Sequence, residues 1–386
     1  MGLLYAWGGN VILTNQAVII GGSLASFESD IVCESSGVSD YVTLQDTTNY
    51  GTYLIPAGAF TELSGSGMIN NGDIYINVDG LEPAAILDIG NTTIQGTGWV
   101  VLGDEFNAIL SGSPTELATN ASGHTIVGRG RINAGLLNRG SIIANDGAIT
   151  LDPTAPGFIN DGIMETLDSH GSFNINSAGS FTNQSRVTVL GYLTAQGDYT
   201  QTAGTTLVNG TLTTDGGELA LQGGALQGTG SISGTVISSA GTVAPGDSEG
   251  TLTITEDLIL SSASVLDYEL AAPGGSNDRI DLSGDLTLDG TLNVTDTGGF
   301  GLGTYRLINY GGALIDNGLS LGSMPPGWSY SISAQSGHVD LEVLASPTPT
   351  SQPTFTPTPS AVPPTPTAPP ATPPPVITPP PWRLVV

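Results

Sequence analysis

Four acidic residues, Asp152, Asp161, Glu165 and Asp168, fall close together along the chain. A glycosidase needs two carboxylates about 5–9.5 Å apart, one to donate a proton and one to attack or activate water. This set is therefore the first place to look for hydrolysis of a sugar bond. Arg129, Arg131 and Arg139 form the one basic cluster. A lyase acting on acidic sugars needs such groups to stabilise the developing anion. An acidic chain offers many carboxylate sets of this kind, and arginines on a repetitive surface serve first to balance nearby aspartates. The bland role is the expected one for both clusters, and no catalytic residue is assigned.

Other chemistry finds less support. His124, His170 and His338 stand far apart and in no metal-ligand spacing, so they read as solvent-facing or corner residues. Cys33 is the single cysteine, which excludes an internal disulfide, and it reads as a small strand residue. Calcium is the one metal that suits so many oxygen donors. Gly274-Gly275-Ser276-Asn277-Asp278 is only a fragment of a calcium loop and reads as a turn. No cofactor is expected. Trp7, Trp99 and Trp328 are scattered, and core or edge positions suit them better than a sugar-stacking platform. Asn91-Thr92-Thr93 is a glycosylation acceptor only in a eukaryotic secretory host.

Composition narrows the class. Charged residues make up 11% of the chain, all seven basic residues are arginine, and the formal net charge is −28. That charge repels phosphate backbones and excludes nucleic acid as a partner. No apolar run approaches the roughly 18 residues that span a bilayer as a helix. The start, Met1-Gly2-Leu3-Leu4, lacks a basic leader region, and Gly21-Gly22 interrupts the apolar pieces that follow. It reads as a processed or incomplete N-terminus. The 55 glycines show no collagen period and suit many short strands joined by tight corners.

Such corners are visible. The pattern aliphatic-x-Gly-x-Gly-x-aliphatic occurs at Leu63–Ile69, Ile94–Val100, Ile126–Ile132 and Leu226–Ile232. A second pattern, aliphatic-Asn-x-Gly, occurs at Ile69–Gly72, Leu137–Gly140 and Ile159–Gly162, with a looser copy at Phe181–Val187. Asn138 to Asn160 is 22 residues and Asn160 to Asn183 is 23. One turn of a parallel β-helix, with three short strands and three corners, has this length. Asn and Gly tolerate the positive φ of a sharp corner, and stacked Asn side chains can bond along a ladder. The spacing predicts an all-β solenoid. A β-sandwich of hairpins is the main competitor. Three regions are expected: an irregular β region over 1–60 that could cap the solenoid, repeats over 61–345, and a tail over 346–386.

The sharpest stretch runs Gly241-Thr242-Val243-Ala244-Pro245-Gly246-Asp247-Ser248-Glu249-Gly250-Thr251-Leu252. With Gly224–Val236 before it and Gly303–Ile308 after it, it resembles the passenger-associated strand repeats of bacterial autotransporters and related large secreted β-helical proteins. The resemblance covers about 61–345. It implies a right-handed parallel β-helix displayed outside the cell, often as an adhesin stalk, and it implies no catalytic residues. The membrane β-barrel that closes such proteins is not expected in this chain. The tail holds 16 of the 25 prolines and only one charge, Arg383, a composition that cannot form a core and favours an extended, disordered spacer.

The expected function is thus a secreted or cell-surface bacterial β-solenoid with a structural or adhesive role. Its expected partners are surface glycans or other surface proteins, with the oligomeric state open. The alternatives are a polysaccharide-active β-helix enzyme and a phage or matrix fibre protein.

Overall fold

A computed structural model describes residues 2–14, 16–34, 41–176, 179–346 and 370–372. Residues Met1–Ser346 form one compact unit. The tail expected from 346 lies outside the described residues except at 346 and 370–372.

The unit is built from strands of 2–11 residues, and no helix occurs among the described residues. Each turn of the chain lays down three strands, and each strand pairs in parallel with its counterparts in the turns below and above. One turn shows the pattern. Leu136–Asn138 lies on face I, residues 141–144 on face II and residues 148–151 on face III. Phe158–Asn160 then returns to face I beside Leu136–Asn138. The strand Ser141–Leu151 bends at its middle to serve two faces. Its bend is made by Asp146 and Gly147, both at positive φ. The fold is a parallel β-solenoid of about 13 turns. Parallel neighbours rule out the sandwich of hairpins, whose adjacent strands would run antiparallel.

Side chains alternate inward and outward along most of the strands, as the two-residue period requires. The inward ones stack from turn to turn. On face II the stack runs Ile74, Val100, Ile126, Ile142, Met164 and Val187, all buried. On face I, Phe158, Phe181 and Tyr199 stack with centroids 5.7 and 5.0 Å apart. Full burial of each such side chain contributes about 1.5–3 kcal/mol.

The strands before residue 60 belong to the same ladder. Leu3–Trp7 pairs with Ser23–Phe27, Val11–Thr14 with Ile31–Glu34, and Val18–Ile20 with Val42–Asn49. At the other end the pairing changes sense. Gly303–Tyr310 pairs antiparallel with His338–Ala345, which pairs antiparallel with Trp328–Gln335. That hairpin covers the last edge of face III, where an open strand would otherwise invite further pairing.

Candidate functional surface

The corners come first, because they decide which side chains meet. The two-glycine pattern is a general corner device. At 63–69 it joins face III to face I, at 94–100 face I to face II, and at 126–132 and 226–232 face II to face III. Gly65, Gly67, Gly96, Gly128 and Gly228 take positive φ, which glycine adopts without strain.

The Asn-x-Gly pattern marks a single corner, between faces I and II. Asn138, Asn160 and Asn183 sit in register, so the 22- and 23-residue spacings are single turns. The glycine is needed there for a different reason than the expected positive φ. A Cβ at Gly72, Gly140 or Gly162 would lie under 3.0 Å from the backbone oxygen of Gly51, His124 or Gly140 in the turn below. The backbones touch, and only glycine lets them.

The asparagines bond as a ladder along the inside of this corner. Asn49 Nδ2 donates to Asn70 Oδ1 (2.9 Å), Asn120 to Asn138 (2.7 Å), Asn138 to Asn160 (2.8 Å) and Asn160 to Asn183 (2.9 Å). Asn183 Nδ2 then donates to Thr206 Oγ1 at 3.3 Å, and Thr206 Oγ1 to Gln201 Oε1 at 2.5 Å. All of these residues are buried. Between Asn70 and Asn120 the link is His124, whose Nε2 lies 3.1 Å from Asn70 Nδ2 and Nδ1 2.7 Å from Asn120 Oδ1. His124 sits at a corner as expected, but it is fully buried rather than solvent-facing. Burial pushes its pKa down to about 4. Periodicity within the sequence could not find it, because the ring substitutes for an amide that the repeat omits.

The candidate catalytic groups are dispersed. Arg131 pairs with Asp152 at 2.6 Å on face III, and Arg139 pairs with Asp161 at 3.3 Å at the corner of faces I and II. Arg129 lies 3.9 Å from Asp146 at the corner of faces II and III. Glu165 is on face II, and Asp168 accepts hydrogen bonds from the backbone N–H groups of His170 and Gly171. These donors hold the Asp168 carboxyl below its usual range. His170 lies 3.7 Å from Asp168, and His338 lies 3.5 Å from Asp340. Cys33 is buried within Ile31–Glu34. Trp7 and Trp99 stand exposed at strand ends, and Trp328 is half-buried.

The Ala-Pro-Gly-Asp-Ser stretch closes a tight turn beside a recess of about 470 Å³. Gly228 and Gly246 exchange reciprocal backbone hydrogen bonds of 3.0 and 2.8 Å. Asp278, from the calcium-loop-like fragment, is buried and pins the turn. It accepts from Gly250 N–H at 2.8 Å and Glu269 N–H at 2.6 Å. Burial outweighs these donors and raises its pKa to about 7. Asp247, Asp267 and Glu269 line the same recess. Among the described residues, no three His, Cys, Asp or Glu side chains are grouped to hold a metal ion.

The outer surface of face II carries a feature that only the register exposes. Ile12, Val32, Leu54, Tyr75, Val101, Val127 and Ile143 occupy one outward row across seven successive turns. The next position in the row is Glu165. Exposed Trp99 sits on the strand that carries Val101. Ile12 is exposed and the other six members of the row are half-buried.

No protein-family model matches the chain. The chain is 47% identical over 113 residues to a protein described as "Adhesin BmaC autotransporter" from Brucella suis biovar 1 (strain 1330). The aligned stretch is 28% of this chain and 3% of that protein. The alignment and the parallel solenoid together fit an autotransporter passenger-like β-helix. No helix among the described residues is long and apolar enough to cross a membrane.

Proposed function

We propose that the chain is a secreted or cell-surface β-solenoid that presents an adhesive side to surface glycans or surface proteins, without catalysing a reaction. The observation that carries this reading is the alignment with an autotransporter adhesin. Two features of the structure support it. The outward apolar row from Ile12 to Ile143, exposed at Ile12 and half-buried beyond it, offers contact area along face II. The acidic and basic clusters weighed for catalysis fall on different faces and corners, most of them tied in local ion pairs.

The test is product release from neutral and acidic polysaccharides incubated with the full chain, with and without calcium. New reducing ends and unsaturated products are quantified beside equilibrium binding. Binding without products supports the reading, and a Val101→Glu, Val127→Glu double variant then loses that binding. Sustained turnover overturns it.

A further inference from the structure

The ladder at the corner of faces I and II has a direction. Its four amide-to-amide links are each donated by the partner nearer the N-terminus: Asn49 to Asn70, Asn120 to Asn138, Asn138 to Asn160 and Asn160 to Asn183. The direction fixes the histidine. Asn120 Nδ2 already donates to Asn138 Oδ1 and Ser141 O, so its Oδ1 faces the ring and His124 Nδ1 must carry the proton. Asn70 Oδ1 already accepts from Asn49, and its Nδ2 donates to Trp99 O at 3.0 Å. His124 Nε2 must therefore be the acceptor. Only the neutral ring protonated on Nδ1 satisfies both neighbours.

A second proton has nowhere to go. On Nε2 it would face the Asn70 amide hydrogens. Rotating the Asn70 amide to offer its oxygen would set donor against donor at Asn49 and oxygen against oxygen at Trp99. The ring is needed because the turn between Asn70 and Asn120 supplies no amide. Register places Ile94 opposite Asn120, and Gly96 follows Gln95, which lies opposite Ile69.

The charged groups on the packed elements do not offset the cost. Glu116, ahead of Ala118–Asn120, is at the surface and accepts from Asn91 Nδ2 at 2.6 Å. Arg139, after Leu136–Asn138, is held by Asp161. The strands Phe60–Asn70 and Thr93–Gln95 bring Glu62 alone, on face III. Asp73 of Asp73–Ile76 takes an outward position on face II, and Arg129 and Arg131 of Thr125–Asn133 are held by Asp146 and Asp152. Burial is the cause of the ring's low basicity.

We propose that His124 is an acid-operated break in the ladder: a proton on Nε2 opens the turns between Asn70 and Asn138 and leaves those beyond Asn160 closed. Neighbour-only coupling in a solenoid allows such a local opening.

The test follows the histidine ring carbons by NMR in the full chain, with His170→Gln and His338→Gln for assignment. Amide exchange protection by segment is measured from pH 7 to pH 4. The His124 ring is expected to stay neutral until the pH approaches about 4. Protection of 93–100 and 118–127, measured against each pH's intrinsic rate, is expected to fall roughly ten- to a hundredfold as pH drops from about 6.5 towards 4, because the opened ring takes up a proton that the closed ring refuses. In His124→Gln, which keeps a neutral donor and acceptor, that fall is absent. An identical fall in His124→Gln, a uniform loss along the chain, or a His124 ring already charged at pH 6 would overturn the proposal. The ring titration decides even where the variant does not fold.

Discussion

Replacing Asn160 by alanine removes one whole rung of the corner ladder. Three hydrogen bonds go: the donation from Asn138 at 2.8 Å, and the donations to Asn183 Oδ1 at 2.9 Å and Arg186 O at 3.0 Å. A typical bond contributes about 1 kcal/mol net, and a buried polar group left without a partner costs about 1–3 kcal/mol. Two neighbours keep a second partner, Asn138 at Ile163 O and Asn183 at Ser185 N–H. The loss is therefore about 3 kcal/mol rather than twice that. In a repeat fold the effect stays near the lesion. Amide exchange of the full chain should show roughly a hundredfold loss of protection over 136–143, 158–166 and 181–189, with the distant turns near 280 unchanged. Asn91→Ala is the control. Asn91 is exposed, its Nδ2 donates only to Glu116, and its loss should stay within about 0.5 kcal/mol. An Asn160→Ala variant that behaves like Asn91→Ala would refute the claim that the ladder holds the corner.

Other expectations follow from the same geometry. Gly162→Ala forces a methyl group against the backbone oxygen of Gly140 and should destabilise the corner by several kcal/mol, whereas Gly301→Ala, with its nearest neighbour 3.9 Å away, should be tolerated; thermal melts of both variants compare them. Asp278 gives a pH dependence of defined sign. Its carboxyl binds a proton more tightly folded than unfolded, so its contribution is present below about pH 4 and is lost as pH rises through about 7. Exchange protection of Ser264–Leu270 and Arg279–Leu282 should thus be greater at pH 5 than at pH 8. Equal protection at the two values would show that Asp278 is ionised throughout.

Much of the fold was legible because one-turn spacing survives in the sequence where a corner needs a particular residue. Asn138, Asn160 and Asn183 announce the turn length, and Gly140 and Gly162 accompany them because the backbones touch there. The two-glycine motif is less informative than it looks, because all three corners use it and its copies carry no common phase. His124 was invisible as a ladder member, since its partners lie 54 and 4 residues away and obey no repeat. The outward row on face II was half visible. Runs such as Val11-Ile12-Leu13, Tyr53-Leu54-Ile55 and Val100-Val101-Leu102 are apolar throughout where a strand with one wet face should alternate. Their alignment into one row needs register, which no single strand contains.

Paired spin labels test the stacking most directly. From Thr119 to Thr200 the register advances four turns through Leu137, Ile159 and Thr182. From Thr200 to Thr287 it advances four more through Ala220, Ile237 and Ile259. At about 4.8 Å per turn, labels at 119 and 200 should lie about 19 Å apart, and labels at 119 and 287 about 38 Å apart. Cys33 is buried and should stay unlabelled. A separation that grows in step with the number of turns is the predicted result. A distance between 119 and 287 no longer than that between 119 and 200 would contradict the solenoid.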